Sequence, residues 1–156
     1  MSKIYAAYGS NIHPTIINSW APEAKEVGVG IIEGYALCFR GGLATIEPKE
    51  NSSVPVKLYE ITKEDEEGLD VYEGYAEKLY DKKNLIVDVK AYDEEYISRI
   101  MEPTEAMVYV MDSKYPKRAP NEEYFRSILY GYMRTENKYD LKLFNYEVLT
   151  KALLPV

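Results

Sequence analysis

The sequence predicts a single domain of the α+β class. Segments of strand length dominate the first two-thirds of the chain, whereas the end of the chain carries the longer apolar patterns of helices. The two kinds of element do not alternate as βαβ units require, and there is no internal repeat or linker. A chain of 156 residues has the common size of one domain and can bury about two-thirds of its unfolded surface. We therefore expect residues 1–156 to share one hydrophobic core.

The individual elements follow from the hydrophobic periodicity. Strands are predicted near residues 3–8, 26–40, 43–47, 54–61, 78–92 and 105–112. Helices are predicted near residues 14–20, 62–73, 121–136 and 140–153. The polar run Asn51-Ser52-Ser53 predicts a turn between the third and fourth strands. The amphipathic last helix closes one side of the sheet or meets a partner subunit, and both alternatives stay open.

The residues that follow the first predicted strand form a candidate anion-binding loop. Tyr8–Asn11 comes directly after the apolar run 4–7. A glycine followed by two small polar residues lets successive backbone N–H groups converge on a carboxylate or an oxyanion. The alternative is an ordinary turn in which Ser10 or Asn11 caps the helix that follows.

The predicted helix at 62–73 carries signals at both ends. Thr62 followed three residues later by Asp65 is a capping signature, and Gly74 supplies the position that stops the helix. Glu73 therefore lies at a helix C-terminus, where the helix dipole disfavours negative charge. Enclosure by the neighbouring tyrosines would raise its pKa further, toward the value of a general acid or base. The alternative is a solvated glutamate beside a helix cap.

Three segments in this order resemble one known family. They are Tyr8-Gly9-Ser10-Asn11, Gly41-Gly42-Leu43-Ala44-Thr45-Ile46 and Leu69-Asp70-Val71-Tyr72-Glu73-Gly74. The motifs and their approximate spacing resemble the γ-glutamylcyclotransferase-like family from about residue 3 to about residue 132. The resemblance implies a small, mostly antiparallel barrel-like sheet flanked by helices.

The resemblance also implies the roles of individual residues. Glu73 is the expected catalytic acid and base. The residues expected to bind a γ-glutamyl substrate are Tyr8, Gly9, Ser10, Asn11, Ile12, Tyr80, Tyr109 and Tyr124. Because the chain has 16 tyrosines, any single one of them has packing or surface exposure as its alternative.

The sequence departs from the family pattern at three places. Ile12 stands where the family usually has leucine, and the family's glycine before the catalytic helix is replaced near Val56 and Lys57. Pro55 beside them indicates a strand edge or a bulge. The segment 93–105 is also longer than the matching hairpin of compact members. These differences concern the choice of substrate.

The composition excludes several classes of protein. A net charge of −7 argues against a nucleic-acid partner, because such binding depends on neutralising phosphates with Lys and Arg. One cysteine, Cys38, and one histidine, His13, cannot assemble the usual zinc site. A metal held by carboxylates alone is the alternative, but we expect no metal and no cofactor. A lone core cysteine, no export signal and no apolar run of about 18 residues lead us to expect a cytoplasmic protein without a membrane span.

The reaction that the family resemblance implies is the cyclisation of a γ-glutamyl amide. The α-amine attacks the γ-carbonyl, which releases 5-oxoproline and an amine or amino acid. The acidic balance of the chain favours a cationic leaving amine. Two alternatives are a non-catalytic module that binds a γ-glutamyl or carboxylate ligand and a protein-interaction domain that uses exposed tyrosines. A monomer and a homodimer are both compatible with the sequence.

Overall fold

The structure, a computed structural model, describes residues 3–93, 95 and 103–153. Its strands are β1 Lys3–Ala7, β2 Lys25–Arg40, β3 Leu43–Ile61, β4 Tyr80–Tyr92 and β5 Thr104–Met111. Its helices are α1 Pro14–Trp20, α2 Lys63–Tyr72, α3 Glu122–Tyr139 and α4 Tyr146–Ala152, and a 3-10 turn spans Ser10–Ile12. Most of the predicted long segment 93–105 lies outside the described residues.

The five strands form a closed barrel in the order β1-β3-β2-β4-β5. All neighbouring pairs are antiparallel except β1 and β5, which are parallel where Tyr5 meets Met107. The α+β class and the mostly antiparallel barrel-like sheet flanked by helices are therefore confirmed. Apolar side chains from all five strands and from α3 and α4 share one core.

The third and fourth predicted strands are one strand, so the predicted turn at Asn51-Ser52-Ser53 is wrong. Glu33 pairs with Ser53 and Tyr35 pairs with Pro48, which leaves residues 49–52 opposite Gly34 alone. Because β2 runs beside β3 on both sides of this point, the polar run forms a bulge and the pairing resumes beyond it.

The C-terminal helix begins later than predicted. Residues 140–145 are not helical, because Asp140 and Lys142 both adopt a left-handed backbone with φ of 51° and 59°. The Asn145 side chain then accepts a hydrogen bond from Val148 N and starts α4. This helix packs against β2, so it covers one side of the barrel within the chain itself.

Two close approaches hold the first loop between the helices. A Cβ at Gly68 of α2 would lie 1.9 Å from the Trp20 carbonyl oxygen at the end of α1. A Cβ at Gly131 of α3 would lie 2.9 Å from the backbone nitrogen of His13. Only glycine permits contacts this short, so both positions fix where the chain after β1 lies relative to α2 and α3.

Candidate active site

The loop after β1 and the C-terminus of α2 meet at one point. Asn11 Nδ2 donates to Glu73 Oε1 at 3.2 Å. Ser10 Oγ and the Tyr72 hydroxyl lie 2.7 Å apart, within hydrogen-bonding distance. The loop is a 3-10 turn, in which Ile12 N donates to the Gly9 carbonyl at 3.1 Å. Residues 62 positions apart in sequence thus form one site.

A small cavity lies at this meeting point, with a volume of about 20 Å³. Its lining residues are Tyr5, Tyr8, Gly9, Ser10, Asn11, Ala44, Glu73, Tyr80, Tyr109 and Tyr124. Every site residue predicted from the sequence is therefore in the lining except Ile12. The Ile12 side chain is fully buried in the core, near the place where α3 crosses the loop.

Glu73 occupies the C-cap position of α2, where its backbone N–H donates to the Leu69 carbonyl. Gly74 follows with a φ of 65° and ends the helix as predicted. Burial raises the pKa of the Glu73 carboxyl from 4.5 to about 8. Its neighbour Asn11 offers a neutral amide, which cannot offset the lost hydration as a cation would. A carboxyl with this pKa can take up and release a proton near neutral pH.

Five of the ten lining residues are tyrosines, and the hydroxyls of three of them form hydrogen bonds with backbone groups. Tyr8 donates to the Tyr109 carbonyl at 2.6 Å, and Tyr80 donates to the Ala44 carbonyl at 2.5 Å. The Tyr124 hydroxyl accepts from Ala44 N at 3.1 Å. Burial raises the pKa of Tyr8 and Tyr80 well above 10, so both phenols stay neutral. Apart from Glu73, the lining residues carry no charge.

The ring of Tyr109 lines the cavity while its hydroxyl reaches α2. It donates to Asp70 Oδ1 at 2.6 Å. Asp70 also forms an ion pair with Lys82 at 3.0 Å. One turn of helix before Glu73, Asp70 therefore fixes the tyrosine on β5.

A comparison with known families decides the classification. The family model described as gamma-glutamyl cyclotransferase, AIG2-like, matches residues 5–140. The chain belongs to this family. No curated protein matches the chain at a significant level.

Solved structures share the fold at low sequence identity. One named gamma-glutamyl cyclotransferase has a TM-score of 0.79 at 22% identity, over 100% of this chain and 90% of that chain. An uncharacterized protein from Homo sapiens has a TM-score of 0.76 at 23% identity, with coverages of 99% and 89%. An AIG2-like protein from Mus musculus has a TM-score of 0.59 at 17% identity, with coverages of 78% and 88%. These likenesses show that the chain shares the fold of these structures.

The departure from the family's usual glycine does not fill the cavity. Neither Val56 nor Lys57 is among its lining residues. The buried Lys57 side chain points to Glu26, with 2.6 Å between Nζ and Oε1. Pro55 pairs with Ile31 on β2 and lies beyond the end of the pairing with β1, so it sits at a strand edge as predicted.

Sequence reasoning missed Tyr5, Ala44 and Tyr72 as site residues. Tyr72 precedes Glu73 directly, and Tyr5 lies on β1 three residues before Tyr8, but neither position identifies a site without the contacts. The suggested caps of α1 were wrong, because His13 Nδ1 accepts the hydrogen bond from Thr15 N at 3.1 Å.

A larger groove lies on the far side of Tyr80, which lines both spaces. The groove has a volume of about 810 Å³, and Ile46 and Met111 belong to its walls. These residues follow the cavity-lining Ala44 and Tyr109 by two positions on β3 and β5, about 7 Å along each strand. The groove therefore continues the same faces of the two strands.

The described residues contain no group of three or more His, Cys, Asp or Glu side chains that could hold a metal ion. Within the same part of the chain, every helix is too short or too polar to cross a membrane.

Proposed function

We propose that the protein is a γ-glutamyl cyclotransferase that converts a γ-glutamyl amide into 5-oxoproline and a free amine or amino acid. The observation that carries the proposal is a part-buried carboxyl, Glu73, with a pKa of about 8, which contacts the Tyr8–Asn11 loop beside a cavity lined by tyrosines. Membership of the gamma-glutamyl cyclotransferase, AIG2-like family supports the same reaction.

Glu73 performs both proton transfers in the proposed mechanism. Its carboxylate takes a proton from the substrate's α-ammonium, and the freed amine forms a bond to the γ-carbonyl carbon. The tetrahedral intermediate then collapses as Glu73 returns the proton to the departing nitrogen and the original amide bond breaks. The ring nitrogen also loses its second ammonium proton, and the released amine takes up one proton from the solvent, so the net charge is conserved. A raised pKa suits both transfers, because the group must act first as a base and then as an acid. No water is consumed.

The Tyr8–Asn11 loop is proposed to bind the negative groups of the substrate. Ile12 N and His13 N donate within the 3-10 turn, to the Gly9 and Ser10 carbonyls. We assign the preceding N–H groups, those of Ser10 and Asn11, to the α-carboxylate or to the oxyanion of the intermediate. Gly9 allows a ligand to approach this backbone, since it presents no side chain.

The tyrosine walls are proposed to hold the glutamyl chain in a shape ready for ring closure. Ordering the two reacting groups of one molecule can contribute about 7 to 11 kcal/mol in favourable cases. The cavity of about 20 Å³ is smaller than a glutamyl group, since a single water needs about 10–15 Å³ on the same measure. Substrate entry therefore requires the cavity to widen.

The leaving group is proposed to extend past Tyr80 into the groove. The basic residues that line the groove are Arg40, Lys78, Lys83 and Lys114, and the acidic ones are Glu47, Asp81 and Asp112. The basic side chains outnumber the acidic ones by one, whereas the whole chain has a net charge of −7. This local balance favours a leaving group that bears a carboxylate, such as an amino acid, over the cationic amine that the whole-chain charge suggests.

Binding and turnover of the Glu73→Gln variant test the proposal. An enzyme loses turnover with this change and still binds 5-oxoproline in calorimetry, because the amide keeps the shape of the side chain. A parent protein that binds 5-oxoproline but turns over no γ-glutamyl compound is a binding module, which contradicts the proposal.

A further inference from the structure

The side chain of Asn11 has one satisfied end and one unsatisfied end. Asn11 is 2% exposed. Its Nδ2 donates to the Tyr5 hydroxyl at 3.0 Å and to Glu73 Oε1 at 3.2 Å. Its Oδ1 is buried and has no hydrogen-bond partner among the described residues. Asn11 lines the cavity, so this acceptor belongs to the proposed catalytic centre.

When Glu73 is ionised, the amide cannot relieve this by turning over. With Glu73 charged, as a base must be, a reversed amide would bring Oδ1 against the carboxylate oxygen and Nδ2 away from it. The backbone of Asn11 is also held, because its carbonyl accepts from the Tyr59 hydroxyl at 3.1 Å. A buried acceptor without a donor is unfavourable. A ligand that brings an N–H group to this position removes that penalty.

We propose that Asn11 Oδ1 accepts a hydrogen bond from the substrate nitrogen that becomes the lactam nitrogen. In the substrate this is the α-ammonium of the γ-glutamyl group, and in the product it is the N–H of 5-oxoproline. The inference rests on the proposed function and adds a role for the Asn11 side chain within it.

This role couples the base and the nucleophile through one amide. Nδ2 holds the Glu73 carboxylate, and Oδ1 holds the ammonium whose proton that carboxylate removes. Because both hydrogen bonds go to the same amide group, the ammonium and the carboxylate that takes its proton are held at a fixed relative position. An ammonium has three donors, so it can bond to Asn11 and to Glu73 at the same time.

The test compares two ligands that differ at one ring atom. The first is 5-oxoproline, and the second is its lactone analogue, in which a ring oxygen replaces the ring N–H. The parent protein should bind the lactam about tenfold or more tightly than the lactone, because the lactone leaves Oδ1 unpaired. In Asn11→Leu, which removes the acceptor but keeps a similar volume, the two affinities should become equal within about a factor of two.

Ser10→Ala is the matched control, since it changes the neighbouring loop side chain and keeps the Asn11 amide. It should retain the preference for the lactam. Equal binding of the two ligands by the parent, or an undiminished lactam preference in Asn11→Leu, overturns the inference. If Asn11→Leu does not fold by circular dichroism, the ratio measured for the parent still decides.

A parallel assay of 5-oxoproline formation separates this inference from the function on which it rests. Cyclisation by a parent protein that does not discriminate between the ligands leaves the function standing and removes the role of Oδ1. A parent that binds neither ligand and forms no 5-oxoproline contradicts both.

Discussion

Glu73→Gln should stabilise the folded protein at alkaline pH and leave its stability almost unchanged at about pH 5. Burial raises the pKa of this carboxyl from 4.5 to about 8. Between these values the folded state keeps a proton that the unfolded chain has lost, so the free energy of unfolding falls as pH rises through this window. Glutamine carries no charge at any of these pH values and avoids the penalty.

The size of the effect follows from the same two pKa values. Each pH unit between them is worth about 1.4 kcal/mol, which sets an upper limit on the order of 5 kcal/mol at high pH. Water that enters beside the part-buried carboxylate reduces the penalty, so we expect a gain of about 2 to 3 kcal/mol. For a chain of this size that raises Tm by about 5 to 10 °C.

The assay is thermal unfolding of parent and variant, followed by circular dichroism at about pH 5 and about pH 9. Glu67→Gln is the control, because Glu67 is an exposed glutamate on the same helix, and it should leave the pH dependence of Tm unchanged. If Glu73→Gln changes Tm by the same amount at both pH values, the reasoning that burial keeps this carboxyl protonated is refuted.

Three further changes probe the loop, the wall and the groove. Gly9→Ala should lower kcat/KM with an unchanged circular dichroism spectrum, because a Cβ there would lie 3.1 Å from the Ala44 Cβ; unchanged kcat/KM would contradict a role for this close approach. Tyr109→Phe should lower the free energy of unfolding in urea by about 1 to 2 kcal/mol through loss of its bond to Asp70, and an unchanged midpoint would exclude that contribution. Lys83→Glu should raise KM several-fold for a γ-glutamyl amino acid but not for a γ-glutamyl amine. Equal changes of KM for the two substrates would contradict the placement of the leaving group in the groove.

Signals between close neighbours in sequence predicted the ends of elements well. Thr62 and Asp65 form the capping box that their spacing predicts, and Gly74 takes the left-handed backbone that ends α2. These features depend only on nearby residues, which the sequence presents side by side. The same applies to the strand and loop at residues 3–11.

Features that depend on distant partners were beyond the sequence. The run Asn51-Ser52-Ser53 predicts a turn, and only the pairing of β2 with β3 on both sides of residues 49–52 shows that a bulge lies there instead. The raised pKa of Glu73 was expected partly from the helix dipole, whereas burial is the cause that the structure supports. The unpaired Asn11 Oδ1 depends on contacts with Tyr5 and Glu73 and leaves no trace in local sequence.

The most direct test of the account is mass-spectrometric detection of 5-oxoproline after incubation of the pure protein with a panel of γ-glutamyl amino acids and γ-glutamyl amines. The Glu73→Gln variant is run beside the parent. The parent should form 5-oxoproline with at least one member of the panel, and the variant should form none above background. Equal amounts from parent and variant would contradict the role of Glu73, and no product from the parent with any member would contradict the proposed reaction.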